Sequence, residues 1–205
     1  MELHGCDGCG STVVEALLEL AGVPYERRNF AWDDRDGWDR LRRVNPLAQV
    51  PTLVLDDASV LTESAGIALW IAASRPAAGL LPDAPSARAL AYRWMVSFAT
   101  NVYGPIGVGD FPERWVDGDD ARASLKAKAR QRVCDAWRAF DASVAPSPYL
   151  LGDRLSVLDV YVAMLSRWRP GRAWLDERCP TTMAAVRLTE AHPVVAAVWA
   201  RNFRS

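Results

Sequence analysis

Two cysteines and a serine near the start of the chain have the residue types and spacing of a thiol site. Cys6 and Cys9 stand in the segment HGCDGCGST, and Ser11 lies where an apolar periodic segment predicts a helix. The first amide groups of a helix have no partner within it and carry partial positive charge. A helix from Ser11 would therefore lower the pKa of a thiol in this loop, whether the sulfur belongs to the protein or to a ligand.

Several interpretations of this loop are open from the residues alone. A CxxC pair before a helix is typical of a redox dithiol, although Gly10 and Ser11 separate it from the apolar run. A zinc site needs a second ligand cluster, and the other cysteines and histidines are scattered, so we expect no metal. The loop glycines could instead bring a foreign thiol close, with Ser11 as helix N-cap or as hydroxyl donor to the sulfur. A flexible loop followed by a capped helix, with no catalytic or binding role, would show the same residue pattern.

A second polar pattern lies in the segment QVPTLVLDDASVLTES. A cis bond before Pro51 would expose the amide and carbonyl of Val50, which can then pair with an extended peptide like an added strand. Glu63 and Ser64 stand where a third helix begins, and supply a carboxylate, a hydroxyl and free amides. An amino acid head group fits them, because its carboxylate meets the amides and Ser64 while its ammonium meets Glu63. Ordinary first-turn residues of a helix give the same pattern.

Alternating strands and helices must position these residues. The pattern predicts strands at 2–4, 25–30, 52–55 and 60–61, and helices from 11, over 36–44 and over 63–73. The strand-helix-strand unit implies a parallel pair, and the tight turn at 56–59 implies an antiparallel hairpin. The predicted fold of this part is therefore βαβαββα with a mixed four-stranded sheet.

The composition changes after residue 76. The segment PAAGLLPDAPS has the proline and glycine content of a linker, which predicts domains at 1–76 and 87–205 joined by residues 77–86. Helical periodicity then predicts an all-α domain, with helices over 87–103, 119–144, 157–168 and two shorter C-terminal segments. Ser156 and Asp159 form a variant of the capping box, which is a folding signal.

Composition and charge exclude several classes of protein. The 205 residues include 24 basic and 25 acidic ones, a balance that does not favour binding to nucleic acid or to an anionic membrane. Apolar runs do not approach the roughly 18 residues of a membrane span, and the N-terminal residues do not form a signal peptide. Four cysteines are too few for a disulfide scaffold, so we expect a reducing, cytoplasmic location.

The chain resembles the cytosolic glutathione S-transferase family over nearly its whole length. The resemblance is carried by the GS turn before VVEALLELAGVPYE, by NPLAQVPTLVLDD and LTESAGIALWIA, and by LLGDRLSVLDVYVAM. It implies a thioredoxin-like N-terminal domain, an all-helical C-terminal domain, a homodimer, and glutathione as co-substrate. In the glutathione site that it implies, Val50 beside Pro51 pairs with the cysteinyl backbone, Gln49 lies near the glycyl end, and Glu63 and Ser64 bind the γ-glutamyl group.

Members of this family differ in the residue that faces the glutathione sulfur, which is tyrosine, serine or cysteine. Gly5 stands where a tyrosine would be expected, so the chain resembles the serine or cysteine subgroup. Cys9 and Ser11 both qualify as the catalytic residue, and we expect Cys9 to lie closer. The resemblance also implies a hydrophobic substrate site on the first long helix of the second domain, where Tyr103 and Asn101 are the candidates.

Three functions follow from these patterns. The first is a transferase that delivers glutathione thiolate to a small hydrophobic electrophile, as in detoxification. The second is a glutathione-dependent thiol-disulfide reductase that uses Cys9, with Cys6 as a resolving thiol. The third is a non-catalytic interaction module with the same fold.

Overall fold

The computed structural model describes residues 1–203, and its N-terminal part alternates strands with helices. The elements are β1 Glu2–Gly5, α1 Ser11–Leu20, β2 Glu26–Asn29, α2 Arg35–Val44, β3 Thr52–Val54, β4 Val60–Leu61 and α3 Ser64–Ser74. Each boundary predicted from the sequence lies within one residue of the observed one. The predicted order βαβαββα is therefore confirmed.

These strands form one mixed sheet with the order β2-β1-β3-β4. β1 pairs parallel with β2 and antiparallel with β3, and β4 closes the antiparallel hairpin. Leu3 and Leu53 are paired across β1 and β3, and both are fully buried. α1 packs against α3, and their apolar residues join the two leucines in a hydrophobic core. The mixed sheet and the thioredoxin-like arrangement are confirmed.

The rest of the described chain is helical, as predicted. The helices are α4 Pro85–Phe98, α5 Gly104–Asp110, α6 Asp119–Asp141, α7 Val157–Leu165, α8 Arg172–Arg178, α9 Pro180–Ala191 and α10 Pro193–Asn202. A π-helical turn, Ala99–Tyr103, joins α4 to α5. The capping box of α7 is present, with Ser156 and Asp159 bonding each other's backbone amides. Within residues 1–203, every helix is too short or too polar to cross a bilayer.

Two helical features differ from the prediction. The segment YGPIGVGDF was expected to be a break but contains α5, and the C-terminal end holds three helices where two were expected. Pro105, Pro180 and Pro193 each lie in the first turn of a helix. The first-turn amides of a helix have no intrahelical acceptor, so proline costs nothing there and its fixed φ suits the helix.

The segment between α3 and α4 is tied to the helical part. Leu80 and Leu81 are buried, and the Leu80 carbonyl accepts a hydrogen bond of 2.8 Å from the Val157 amide at the start of α7. One hydrophobic core joins residues on both sides of this segment. The limits 1–76, 77–86 and 87–205 therefore stay a prediction from composition.

Candidate functional site

The loop between β1 and α1 holds the two cysteines in a tight turn. The Cys9 amide donates a 3.3 Å hydrogen bond to the Cys6 carbonyl, and Gly8 between them has φ 71°. Both thiols are free, with Cys6 buried and Cys9 partly exposed. Within residues 1–203, no group of three or more histidine, cysteine, aspartate or glutamate side chains is arranged to hold a metal ion.

The surroundings shift the pKa values of the two thiols in opposite directions. A hydrogen bond from Cys6 lowers the pKa of the Cys9 thiol, against the opposing effects of burial and of the Asp7 charge. The same hydrogen bond raises the pKa of Cys6, and burial adds to that rise. Cys9 also lies just before the N-terminus of α1, which favours a thiolate. The Cys9 thiol is therefore the more readily ionised of the two.

Ser11 is a packing residue at the start of α1. Its side chain is 1% exposed, and its hydroxyl donates a 3.1 Å hydrogen bond to the Cys6 carbonyl. It fills the space beside Gly5, where an added Cβ would come within 2.3 Å of Ser11 Oγ. The N-cap position is occupied by Gly10, with no side-chain cap, so the expectation that Ser11 caps the helix is wrong. The proton of the Ser11 hydroxyl is thus used in a hydrogen bond to the loop backbone.

The helical part contacts this loop through Tyr103 and Trp168. Tyr103 Oη lies so close to Gly10 that a Cβ there would be 2.4 Å from it. The Tyr103 ring makes an edge contact with Trp168, with centroids 4.9 Å apart, and Trp168 Nε1 donates a 3.0 Å hydrogen bond to the Gly8 carbonyl. Burial raises the pKa of Tyr103, and the nearby Tyr161, Cys9 and Glu63 add to the rise. Tyr103 therefore carries its proton at neutral pH.

The bend before β3 presents unpaired backbone. The Val50–Pro51 bond is cis, and Val50 makes no backbone hydrogen bond with any other residue of the described range 1–203. The turn is fixed from its inner side, because the Gln49 carbonyl accepts hydrogen bonds from Asn45 Nδ2 at 3.2 Å and Thr52 Oγ1 at 2.8 Å. The Gln49 side chain is exposed. The amide and carbonyl of Val50 thus remain available to an extended ligand.

The start of α3 combines a strained backbone with a buried pair of hydroxyls. Glu63 is the N-cap residue and has φ 64°, a conformation that is uncommon outside glycine and concentrates at functional sites. Ser64 is buried, and its Oγ lies 3.1 Å from the hydroxyl of Tyr161 on α7. Burial raises the pKa of Tyr161 to about 12. A Tyr161 proton donated to Ser64 Oγ leaves the Ser64 proton available to a ligand at the helix N-terminus.

The two residues predicted for the substrate pocket lie in different places. Asn101 faces α6, where its Oδ1 accepts a 2.7 Å hydrogen bond from Arg132 and its Nδ2 donates to the Ser97 carbonyl at 3.1 Å. It lines a groove of about 640 Å³ between α4 and α6, of which Tyr103 is not part. The structure brings Tyr103 to the thiol loop and leaves Asn101 away from it. The pairing of Asn101 with Tyr103 in one pocket is therefore corrected.

Tyr161 and Trp168 were not among the predicted site residues. The sequence indicates only that both lie in the helix predicted over 157–168. A hydroxyl within the apolar helix VLDVYVAML does carry a signal, because a buried tyrosine hydroxyl needs a hydrogen-bond partner. The identity of that partner, Ser64, depends on the contact between α3 and α7.

Comparison with known proteins places this architecture in a family. The family model for the N-terminal domain of glutathione S-transferases matches residues 11–74. The GST-like protein YncG of Escherichia coli K12 is 32% identical over 205 residues, which cover 98% of each chain. The chain belongs to the glutathione S-transferase family. The glutathione S-transferase GstA of Escherichia coli O157:H7 is 32% identical over 129 residues, which cover 61% of this chain and 59% of GstA.

Solved structures share the fold of this glutathione S-transferase family member. A glutathione transferase homologue from Sulfitobacter, with bound glutathione, superimposes with a TM-score of 0.86 at 24% identity, covering 98% of this chain and 97% of that one. A sphingomonad glutathione S-transferase complexed with glutathione gives a TM-score of 0.78 at 24% identity, with both chains fully covered. The thioredoxin-like part and the helical part thus occur together in this order in both of these structures.

Proposed function

We propose that the protein binds glutathione along the Val50–Pro51 bend and transfers it, as a thiolate, to a small hydrophobic electrophile. The observation that carries the proposal is the unpaired backbone of Val50, which lies in the same domain as the strained N-terminus of α3 and the thiol loop. Family membership and the glutathione bound in the two solved structures named above support it.

Each part of the tripeptide has a complementary group in this proposal. The γ-glutamyl carboxylate binds the first amides of α3 and the Ser64 hydroxyl, and its ammonium group binds Glu63. The cysteinyl backbone pairs with Val50 as an added strand, and Gln49 contacts the glycyl end. The buried contact between Ser64 and Tyr161 supports this orientation, because it fixes the position of the Ser64 hydroxyl at the start of α3 and, when Tyr161 is the donor, leaves the Ser64 proton for the carboxylate.

The glutathione sulfur then lies at the N-terminus of α1, beside Cys9. We propose Cys9 as the catalytic side chain, because Ser11 is buried and bonded to the Cys6 carbonyl. Tyr103 and Trp168 form the apolar wall against which the electrophile binds. The protonated hydroxyl of Tyr103 lies next to Gly10 and can donate a hydrogen bond to the sulfur or to the leaving group.

A second candidate function is glutathione-dependent thiol-disulfide exchange. The specific observation in its favour is that the partly exposed thiol in this loop has a lowered pKa and belongs to Cys9, whereas the serine hydroxyl is occupied. Thiolates attack disulfides, so Cys9 would form a mixed disulfide with glutathione. The same binding groove serves both reactions.

We also propose that two copies associate, as the family resemblance implies. Tyr92 and Val96 lie one turn apart on α4 and are 42% and 55% exposed, which supports an apolar face for a partner copy. Light scattering on the purified protein tests this, with the dimer mass expected and the monomer mass contradicting it.

Calorimetric titration with glutathione tests the proposed function. We expect saturable binding that weakens in Ser64→Ala and Glu63→Gln and is unchanged in the exposed control Glu113→Gln. Conjugation of an aryl halide and reduction of a mixed disulfide are then measured in Cys9→Ser. Loss of both activities assigns both reactions to Cys9, whereas loss of disulfide reduction alone contradicts the role of Cys9 in the transfer reaction. If no saturable binding occurs, both glutathione reactions are contradicted, as expected for the non-catalytic interaction module.

A further inference from the structure

The two cysteines of the loop are already held within reach of each other. The bond from the Cys9 amide to the Cys6 carbonyl closes a four-residue turn, and Gly8 has the positive φ that the third position of a type II turn requires. The ends of such a turn lie within about 7 Å, Cα to Cα. Disulfides span about 4.4–6.8 Å between Cα atoms, so the turn brings the pair close to the separation that a disulfide needs.

The two thiols differ in their access to solvent. Cys6 is 3% exposed, whereas Cys9 is partly exposed and lies next to Gly10 at the start of α1. A disulfide that enters the site can therefore reach the sulfur of Cys9 but not that of Cys6. The Cys6 thiol lies at the other end of the same four-residue turn, three positions before Cys9. This arrangement gives the pair one attacking thiol and one resolving thiol.

We infer that Cys6 and Cys9 form a reversible disulfide, in which Cys6 displaces glutathione from a mixed disulfide on Cys9. This activity rests on the second function proposed above, in which Cys9 reacts with a glutathione-containing disulfide. It makes the site a two-cysteine oxidoreductase, and the transferase reaction needs no such pair.

The reaction proceeds in two exchange steps. The Cys9 thiolate attacks a sulfur of glutathione disulfide, a bond forms between Cys9 and glutathione, and the second glutathione leaves as a thiolate that takes up a proton from water. Cys6 then gives its proton to solvent, and its sulfur attacks the Cys9 sulfur. The Cys6–Cys9 bond forms as the bound glutathione leaves, also as a thiolate. Counted from the Cys9 thiolate, the protein has lost two electrons and one proton, and glutathione disulfide has become two glutathione thiolates, which take up protons from water. Two molecules of glutathione reverse the sequence.

The backbone of the turn is fixed on both sides, which suits the second step. The Cys6 carbonyl accepts hydrogen bonds from the Cys9 amide and the Ser11 hydroxyl, and the Gly8 carbonyl accepts one from Trp168. We therefore expect the backbone of the turn to keep its hydrogen bonds when the disulfide closes. A thiol held in this way attacks at an effective concentration far above that of free glutathione.

The experiment treats the full protein with glutathione disulfide, quenches it with an alkylating agent at intervals, and measures the intact mass. In the wild type we expect a transient glutathione adduct that converts to a species two hydrogen atoms lighter than the reduced protein. In Cys6→Ala we expect a lasting adduct on Cys9, with glutathione release slowed about a hundredfold or more because the positioned intramolecular thiol is gone. Cys134→Ala, which removes another buried cysteine, should behave as the wild type.

The outcomes separate this inference from the proposed function. A wild type that keeps its adduct as long as Cys6→Ala overturns the resolving role of Cys6 and leaves glutathione binding intact. No adduct and no disulfide, together with saturable glutathione binding by calorimetry, also overturns it. A wild type that forms the Cys6–Cys9 disulfide with oxidised dithiothreitol, but neither binds glutathione nor reacts with glutathione disulfide, overturns both this inference and the proposed function. Circular dichroism of Cys6→Ala checks its fold, and Cys6→Ser serves as the second variant.

Discussion

Replacing Gly10 by alanine perturbs the point where the helical part touches the thiol loop. Gly10 has φ −60° and ψ −16°, a backbone conformation that alanine adopts without strain. The added Cβ would nevertheless lie 2.4 Å from Tyr103 Oη, about 1 Å closer than ordinary contact allows. Because the Tyr103 ring packs edge-on against Trp168, it cannot move aside freely. Overpacking of this kind typically costs about 1–3 kcal/mol, so we expect a loss near 2 kcal/mol.

Urea unfolding followed by tryptophan fluorescence measures this loss, and two further variants test its cause. In Gly10→Ala/Tyr103→Phe the nearest atoms to the new Cβ become ring carbons at 3.1 Å, so we expect about 1 kcal/mol of the loss to be recovered through coupling. Gly107→Ala makes the same change inside α5 with no atom within 4 Å, and we expect it to stabilise the protein by up to about 1 kcal/mol. A neutral Gly10→Ala, or an equal loss in the Tyr103→Phe background, would refute the close contact.

Three other predictions concern charge and hydrogen bonding. Glu15 is 1% exposed and pairs with two arginines, so Glu15→Gln should lower the free energy of unfolding by about 3 kcal/mol. Glu19 is more exposed, so Glu19→Gln should lower it by about 1 kcal/mol or less. Equal losses in urea unfolding would contradict this difference. Tyr161→Phe removes the buried hydrogen-bond partner of the Ser64 hydroxyl and should weaken glutathione binding, measured by calorimetry, about fivefold. An unchanged affinity would argue against a role of Tyr161 in positioning Ser64. A hydrogen bond from Cys6 lowers the pKa of the Cys9 thiol. The pH midpoint of iodoacetamide alkylation at Cys9 should therefore lie below the ordinary thiol pKa of about 8.5, and it should move to higher pH in Cys6→Ala. A wild-type midpoint at or above the ordinary value would be inconsistent with that hydrogen bond.

Local signals account for the parts of the fold that the sequence predicted. The turn at 56–59, the start of α1 and the capping box of Ser156 and Asp159 each depend on residues a few positions apart. Such signals act in the same way wherever the segment lies in the molecule. The boundaries of the N-terminal elements could therefore be predicted closely, as could the order of strands and helices along the chain.

Contacts between distant segments account for what the sequence did not predict. The side chain of Ser11 turns inward because Gly5, on the preceding strand, leaves room for it. Asn101 in the π-helical turn Ala99–Tyr103 is held toward α6 by its hydrogen bond with Arg132, which lies 31 positions further along the chain. The partner of Tyr161 depends on how α7 meets α3. None of these contacts leaves a pattern within one segment.

A crystal structure of the protein with glutathione tests the central claim most directly. The proposal predicts an extended tripeptide whose cysteinyl backbone pairs with the amide and carbonyl of Val50. Its γ-glutamyl carboxylate should contact Ser64, and its sulfur should lie nearer to Cys9 Sγ than to Ser11 Oγ. A tripeptide bound elsewhere, or a sulfur in contact with Ser11 rather than Cys9, would contradict the account.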